Sequence, residues 1–194
     1  MQAILPILHL HADIINRGAQ NGVVTDKMGA IMKRIFTYNI PTEYNDQTLL
    51  SFLKDMKYSS QIITHLKHTE NGILLNGEWG RVRDILHTGD ILTLQLIEED
   101  SSKNVIPANI PLDIVFEDED ILVINKAANM PIHPSQGNYD NTLANAVAYY
   151  YQQKGESITY RCINRLDRDT TGLLIVAKHM YSASLLSDMV GKRE

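Results

Sequence analysis

Apolar residues recur at two spacings along this chain, and the switches between them mark its elements. After Met32 the run KRIFTYNIP sets Ile35, Phe36, Tyr38 and Ile40 among polar residues, which predicts a strand. TLLSFLKDMKY (48–58) puts Leu49, Leu50, Leu53 and Met56 on one helical face, with Asn45 and Asp46 as caps ahead of it. Ser59 and Ser60 break that pattern and cap a second helix, SSQIITHLKHT, whose Ile62, Ile63 and Leu66 share a face. GILLNGEW (72–79) predicts a short strand ending in the hairpin turn Asn76-Gly77. Arg81 and Arg83 then alternate with Val82, Gly89-Asp90 turns the chain, and ILTLQL alternates as a closing strand. This order makes two short helices against a small antiparallel sheet.

A second set of elements follows. IVFEDEDILVINK predicts a hairpin with a tight acidic turn, and Pro131 and Pro134 stiffen the loop after it. NTLANAVAYYYQ (141–152) is a helix with Leu143, Ala144, Val147 and Tyr151 inward and Asn141 or Asp140 as cap. The polar stretch RLDRDTTG feeds GLLIVAK, an apolar strand of the buried kind, and KHMYSASLLSDMV closes as a helix with Leu185, Leu186 and Met189 inward. The first 31 residues sustain no period and carry Gly18, Gly22 and Gly29. They are expected to lack order or to be an upstream extension, with the true start at Met32.

The composition, 44% hydrophobic and 21% charged over 194 residues, is that of a globular chain and not a disordered one. The net charge of -5 excludes a polycationic nucleic-acid coat, but it does not exclude a local basic surface. Residues 98–120 hold eight acidic residues against Lys103, so the acidity sits in one short stretch. With Ser101, Ser102, Pro107 and Pro111 it reads as a solvated linker, facing away from any nucleic acid. The boundaries that follow are an extension at 1–31, a first module at 32–97, an acidic linker at 98–112 and a second module at 113–194. No apolar run is long enough to span a membrane, and the single Cys162 excludes an intrachain disulfide.

A charged turn that leads into a buried strand holds its side chains on a rigid base, so Asp167 is the candidate reactive group. Arg165 and Arg168 flank it and Asp169 lies close by. The plainer reading makes these turn or cap residues whose carboxylates accept backbone N–H bonds.

Two resemblances sharpen this. The SFLKD helix, the Ser59-x-x-Ile62 helix start, LLNG (74–77) and Gly89-Asp90 resemble an S4-type RNA-binding domain. That resemblance implies phosphate contacts for Lys54, Lys57, Lys67, Arg81 and Arg83. NRLDRDTTGLLIVAK is similar to the HRLDxxTSGLLxxAK signature of the RluA/RluD-type RNA pseudouridine synthases. INKAANMPIHPSQGNYDNTLANAV resembles the segment that precedes it in those enzymes. Together they imply an α+β chain: a small S4-type αα-β module, then the first part of a mixed, mainly antiparallel synthase sheet domain.

The second resemblance also implies a reaction. Uridine in RNA, most commonly large-subunit ribosomal RNA, is isomerised to pseudouridine, with Asp167 as nucleophile or base. A carboxylate suits either role, because it is ionised at neutral pH. Arg165 is implied to contact RNA, placed to fill the space of the extruded uridine or to grip a phosphate, and Lys126 and Arg168 are further candidates for the backbone. No metal or organic cofactor is implied, and the partner is RNA. A cytoplasmic monomer without membrane contact is expected. His133 reads as a loop-packing residue.

The chain departs from the signature at Asn164 (usually His), Ala127 (usually Pro), Asn129 (usually Gly) and Thr171 (usually Ser). The resemblance also implies a base-stacking Tyr and a basic partner for the Asp further along. Neither motif follows Lys178, and Tyr181 stands in another context, so a form truncated at the C-terminus is expected. The alternatives are an RNA-binding module with an incomplete, inactive catalytic domain, or a structural protein in which RLDRDTTG is a salt-bridged turn.

Overall fold

The computed structural model describes residues 24–28, 31–99, 105–156 and 158–192. Met32–Glu98 gather into one unit and Glu99–Glu194 into a second. Before Met32 the sequence pattern promised no element, yet Val24–Met28 form a strand, β1. The rest of that head, apart from Ile31, lies outside the described residues, as do Ser101 and Ser102 of the linker.

In the first unit, β2 (Ile31–Asn39) buries Met32, Arg34, Phe36 and Tyr38 and leaves Lys33, Ile35 and Thr37 half-buried, the alternation of a strand with one covered face. Two helices supply the cover. α1 (Leu49–Asp55) buries Leu49, Phe52 and Leu53, and α2 (Ser60–His68) buries Ile62, Ile63 and Leu66. Tyr38 meets Phe52 edge-on at 5.3 Å, and its hydroxyl bonds that of Tyr58 at 2.6 Å. Each such buried side chain contributes about 1.5–3 kcal/mol, so a core this small depends on every one.

The first helix is capped by Thr48, whose side chain accepts from the Ser51 N–H, and not by Asn45 or Asp46. Asn45 is occupied elsewhere, its Oδ1 accepting from the Thr88 N–H. Ser59 caps the second helix as expected.

Strand β3 (Ile73–Leu75) turns through Asn76 (φ 54°) and Gly77 (φ 85°) into β4 (Glu78–Trp79). Both turn residues are left-handed, as the tightest hairpin requires. Residues 81–83 form no strand, contrary to their alternation. Asp84 Oδ2 instead accepts from the Arg81 N–H at 2.7 Å and closes a turn. β5 (Ile91–Glu99) completes a five-stranded sheet ordered β1-β2-β5-β3-β4.

The second unit holds a four-stranded antiparallel sheet, β6-β7-β9-β8. Its hairpin is β6 (Ile114–Glu117) with β7 (Ile121–Lys126). The helix α3 (Leu143–Gln153) is capped by Thr142 in a reciprocal box with Asn145, and not by Asp140 or Asn141. Asn145 is fully buried because its Nδ2 also donates to the Ile106 and Tyr139 carbonyls. β8 (Arg161–Cys162) and β9 (Gly172–Ala177) follow, and β9 pairs residue for residue with β7 from Ile121↔Ala177 to Lys126↔Gly172. α4 (Met180–Lys192) buries Tyr181, Leu185, Leu186 and Met189.

The acidic stretch is more than a solvated face. Glu117 accepts from the Tyr150 and Tyr151 hydroxyls and from Lys154 and Lys178 Nζ, at 2.5–3.0 Å. Burial opposes its charge, but these four donors outweigh that and lower its pKa from 4.5 to about 2. Asp120 is buried, with Oδ1 2.6 Å from His179 Nε2. The Ser182 N–H occupies Nδ1 of that ring, which leaves the proton on Nε2 to donate to Asp120. Among the described residues no helix is long and apolar enough to cross a membrane.

Candidate functional site

The turn that carries Asp167 is held from both sides. On the entering side, Asn164 acts on β9 as a short extension of the sheet: its Nδ2 donates to the Leu173 carbonyl and its Oδ1 accepts from the Ile175 N–H, both at 2.9 Å. Asn in place of the usual His therefore still braces the turn. The Thr170 N–H donates to the Asp167 carbonyl at 3.1 Å. The turn ends at Gly172, whose φ of 146° disfavours any side chain.

The second support is the loop after β7. Lys126, expected on the RNA backbone, is 1% exposed and its ammonium points inward. Nζ donates to the carbonyls of Ala127 (2.8 Å), Met130 (3.0 Å) and Arg168 (2.8 Å). Those three bonds use all three of its protons, so none remains for a phosphate. Burial lowers its pKa, and the charges of Asp169 and Asp167 work against that shift. The Lys126 cation thus interacts electrostatically with both carboxylates.

The Met130 N–H also reaches the Arg168 carbonyl at 3.1 Å, and the Arg168 guanidinium grips Asn129 Oδ1 through Nε and Nη2. Asn129 sits at φ 59°, a left-handed position that Asn tolerates where Gly is usual. The loops 127–131 and 165–170 are therefore locked together, with Arg165, Asp167 and Asp169 exposed on the turn. The His133 ring packs edge-on against Tyr160 at 5.1 Å, and burial followed by the Arg165 charge lowers its pKa.

In the other unit, Lys54, Lys57, Lys67, Arg81 and Arg83 are all exposed. They sit on α1, on α2 and in the turns that follow, and Arg81 lies over the Trp79 ring at 5.4 Å. Sequence reading missed that aromatic partner, the inward turn of Lys126 and the Asn129–Arg168 grip. Only the Asn129 backbone had a visible signal, the replacement of a usual Gly. Among the described residues no group of three His, Cys, Asp or Glu side chains could hold a metal.

A buried carboxylate also lies in the second unit. Asp120 precedes β7, and the six-residue ladder places it about 20 Å from the Lys126 end. Its partner is His179, at the foot of α4.

The family model described as RNA pseudouridylate synthase matches residues 120–194, a stretch that includes the whole braced turn. Residues 120–194 are thus similar to the pseudouridine synthase family. The chain is related to its RluA/RluD-type members. The uncharacterized RNA pseudouridine synthase YjbO of Bacillus subtilis is 35% identical over 140 residues, 72% of this chain and 50% of that protein. The ribosomal large subunit pseudouridine synthase D of Haemophilus ducreyi is 43% identical over 124 residues, 63% of this chain and 36% of its own length. Its namesake in Yersinia pestis is 36% identical over 152 residues, 77% and 45% respectively. The chain spans half or less of the length of these synthases.

Proposed function

We propose that this chain serves the isomerisation of uridine to pseudouridine in RNA, with Asp167 as the reacting carboxylate. One observation carries the reading. The Asp167 turn is bonded to β9 through Asn164 and to the neighbouring loop through Arg168 and Lys126, yet its carboxylate faces solvent. A rigid backbone under an open side chain is what a reaction needing close alignment requires.

In the proposed reaction the target uridine leaves the base stack. Asp167 attacks C1′ or assists proton removal as the N1–C1′ bond breaks. The freed ring turns and C5 bonds C1′, releasing the Asp167 carboxylate from C1′ on the first route or with the sugar regaining its proton on the second; the C5 proton leaves and N1 takes one up, so no atom is gained or lost. Arg165, exposed beside Asp167, fills the vacated stack or holds a phosphate. The exposed Lys54, Lys57, Lys67, Arg81 and Arg83 of the first unit, residues 32–97 in an S4-type role, add sequence-independent phosphate contacts. Arg168 keeps its guanidinium on Asn129 and braces the turn. The names of two relatives support large-subunit ribosomal RNA as the substrate.

The test is to incubate the chain with a large-subunit ribosomal RNA transcript, digest to nucleosides and chromatograph for pseudouridine. The expected result is pseudouridine from the parent chain and none from Asp167→Ala, with RNA affinity retained by both. RNA binding without any product would instead support an RNA-binding module with an inactive catalytic segment.

A further inference from the structure

We propose that Trp79 and Arg81 form a stacking platform for an unpaired RNA base on the outer face of the five-stranded sheet. The proposal rests on the RNA reading above and adds a contact outside the phosphate-binding cations. Strand register places the ring: Trp79 pairs with Leu74, and Leu74 pairs with Thr93. Cross-strand partners share a face. Leu92, Leu94 and Leu96 of β5 are buried in the core, so Thr93, Leu74 and Trp79 form a row on the opposite face. Trp79 is 64% exposed there, which leaves most of an indole open to a ligand.

The platform is stiff before anything binds. Asn76 pins the hairpin turn, donating from Nδ2 to Asp90 Oδ1 and accepting at Oδ1 from the Ile91 N–H, both at 2.8 Å. The Gly80 N–H closes β4 onto the Ile73 carbonyl at 3.0 Å. Asp84 holds the Arg81 N–H at 2.7 Å, and the Arg81 guanidinium lies 5.4 Å from the indole centroid. A preorganised aromatic side chain loses little freedom on binding. An indole accepts the π-face of any base on its open side, and the guanidinium lying over the ring meets the adjoining phosphate.

The same features disfavour a second copy of the chain. A self-complementary contact centred on Trp79 would bring two Arg81 guanidiniums together. A stable dimer also buries about 800 Å² per partner, far more than one row of three side chains.

Trp79 is the single tryptophan of the chain, so its emission reports this site alone. The experiment titrates the 194-residue protein at low salt with a fluorescein-labelled oligouridylate, reading label anisotropy. A parallel titration with the unlabelled oligomer reads Trp79 emission. The expected result is quenching of that emission with the same midpoint as the anisotropy rise. Trp79→Ala should weaken binding about tenfold, while Trp79→Phe, which keeps a ring, should weaken it less. Anisotropy that saturates with unchanged emission and an unaffected Trp79→Ala variant would overturn the platform and leave the RNA reading standing. Absence of any anisotropy rise at low salt would overturn both. An emission shift that follows protein concentration without RNA would assign the face to a second copy and also overturn the proposal.

Discussion

At one end of the β7–β9 ladder, Glu117, Asp118 and Asp120 are enclosed by donors: two tyrosine hydroxyls, two lysines, backbone N–H groups and the His179 ring. At the other end Asp167 and Asp169 stand exposed on a turn whose bonds are made by its backbone and its neighbours. The first end spends its carboxylates on cohesion. The second spends a lysine, two asparagines and an arginine on holding the backbone, which leaves the acids open. A carboxylate surrounded by fixed donors stabilises the fold but has no room for a substrate, whereas one on a braced, open turn can do chemistry.

Substitutions at the two ends should therefore differ in kind. The largest effect is expected from Asp167→Ala, which should cut pseudouridine formation by a factor of about a thousand or more. Its melting temperature should stay close to that of the parent, because the side chain is exposed on the turn; a melting curve beside the activity assay checks both. Next is Lys126→Met. It strips three carbonyls of their donor and should cost about 3 kcal/mol in chemical denaturation, and the loosened turn should lower activity as well.

Glu117→Gln should cost about 2 kcal/mol, with the loss confined to stability. The parent carries a matching pH signature. The Glu117 pKa is depressed in the fold, from 4.5 to about 2, so its contribution is complete above pH 4.5. It is lost as pH falls from there towards 2, and urea midpoints across that range should fall more steeply for the parent than for Glu117→Gln. The smallest effect is at Asn129: Ala, which tolerates φ 59° poorly, should cost about 1 kcal/mol, and Gly close to nothing, since it accepts that backbone though it loses the Arg168 grip.

Much of the local structure was legible because it is local. Alternation marked β2 and β5, three- and four-residue spacing marked the helices, and Asn76-Gly77 marked the hairpin. Caps were misread where a better acceptor lay nearer the helix: Thr48 and Thr142 took the roles expected of Asn45 or Asp46 and of Asn141 or Asp140. The site was legible as a string but not as a geometry. Lys126 looked like a surface cation because its most distant acceptor, the Arg168 carbonyl, is 42 residues away in the chain. Glu117 looked solvated for the same reason, its nearest donor in sequence, Tyr150, being 33 residues on. Long-range hydrogen bonds leave no period in a sequence, and these two ends of the sheet are built from them.

The most direct measurement sets the two ends against each other in one assay: pseudouridine yield from large-subunit ribosomal RNA for Asp167→Asn and Asp120→Asn, each beside its melting curve. Asp167→Asn should melt like the parent and make no product. Asp120→Asn keeps an acceptor for His179, so it should lose about 1 kcal/mol of stability and retain turnover below its melting point. Full activity in Asp167→Asn, with turnover lost in a folded Asp120→Asn, would contradict the assignment of the chemistry to the open turn.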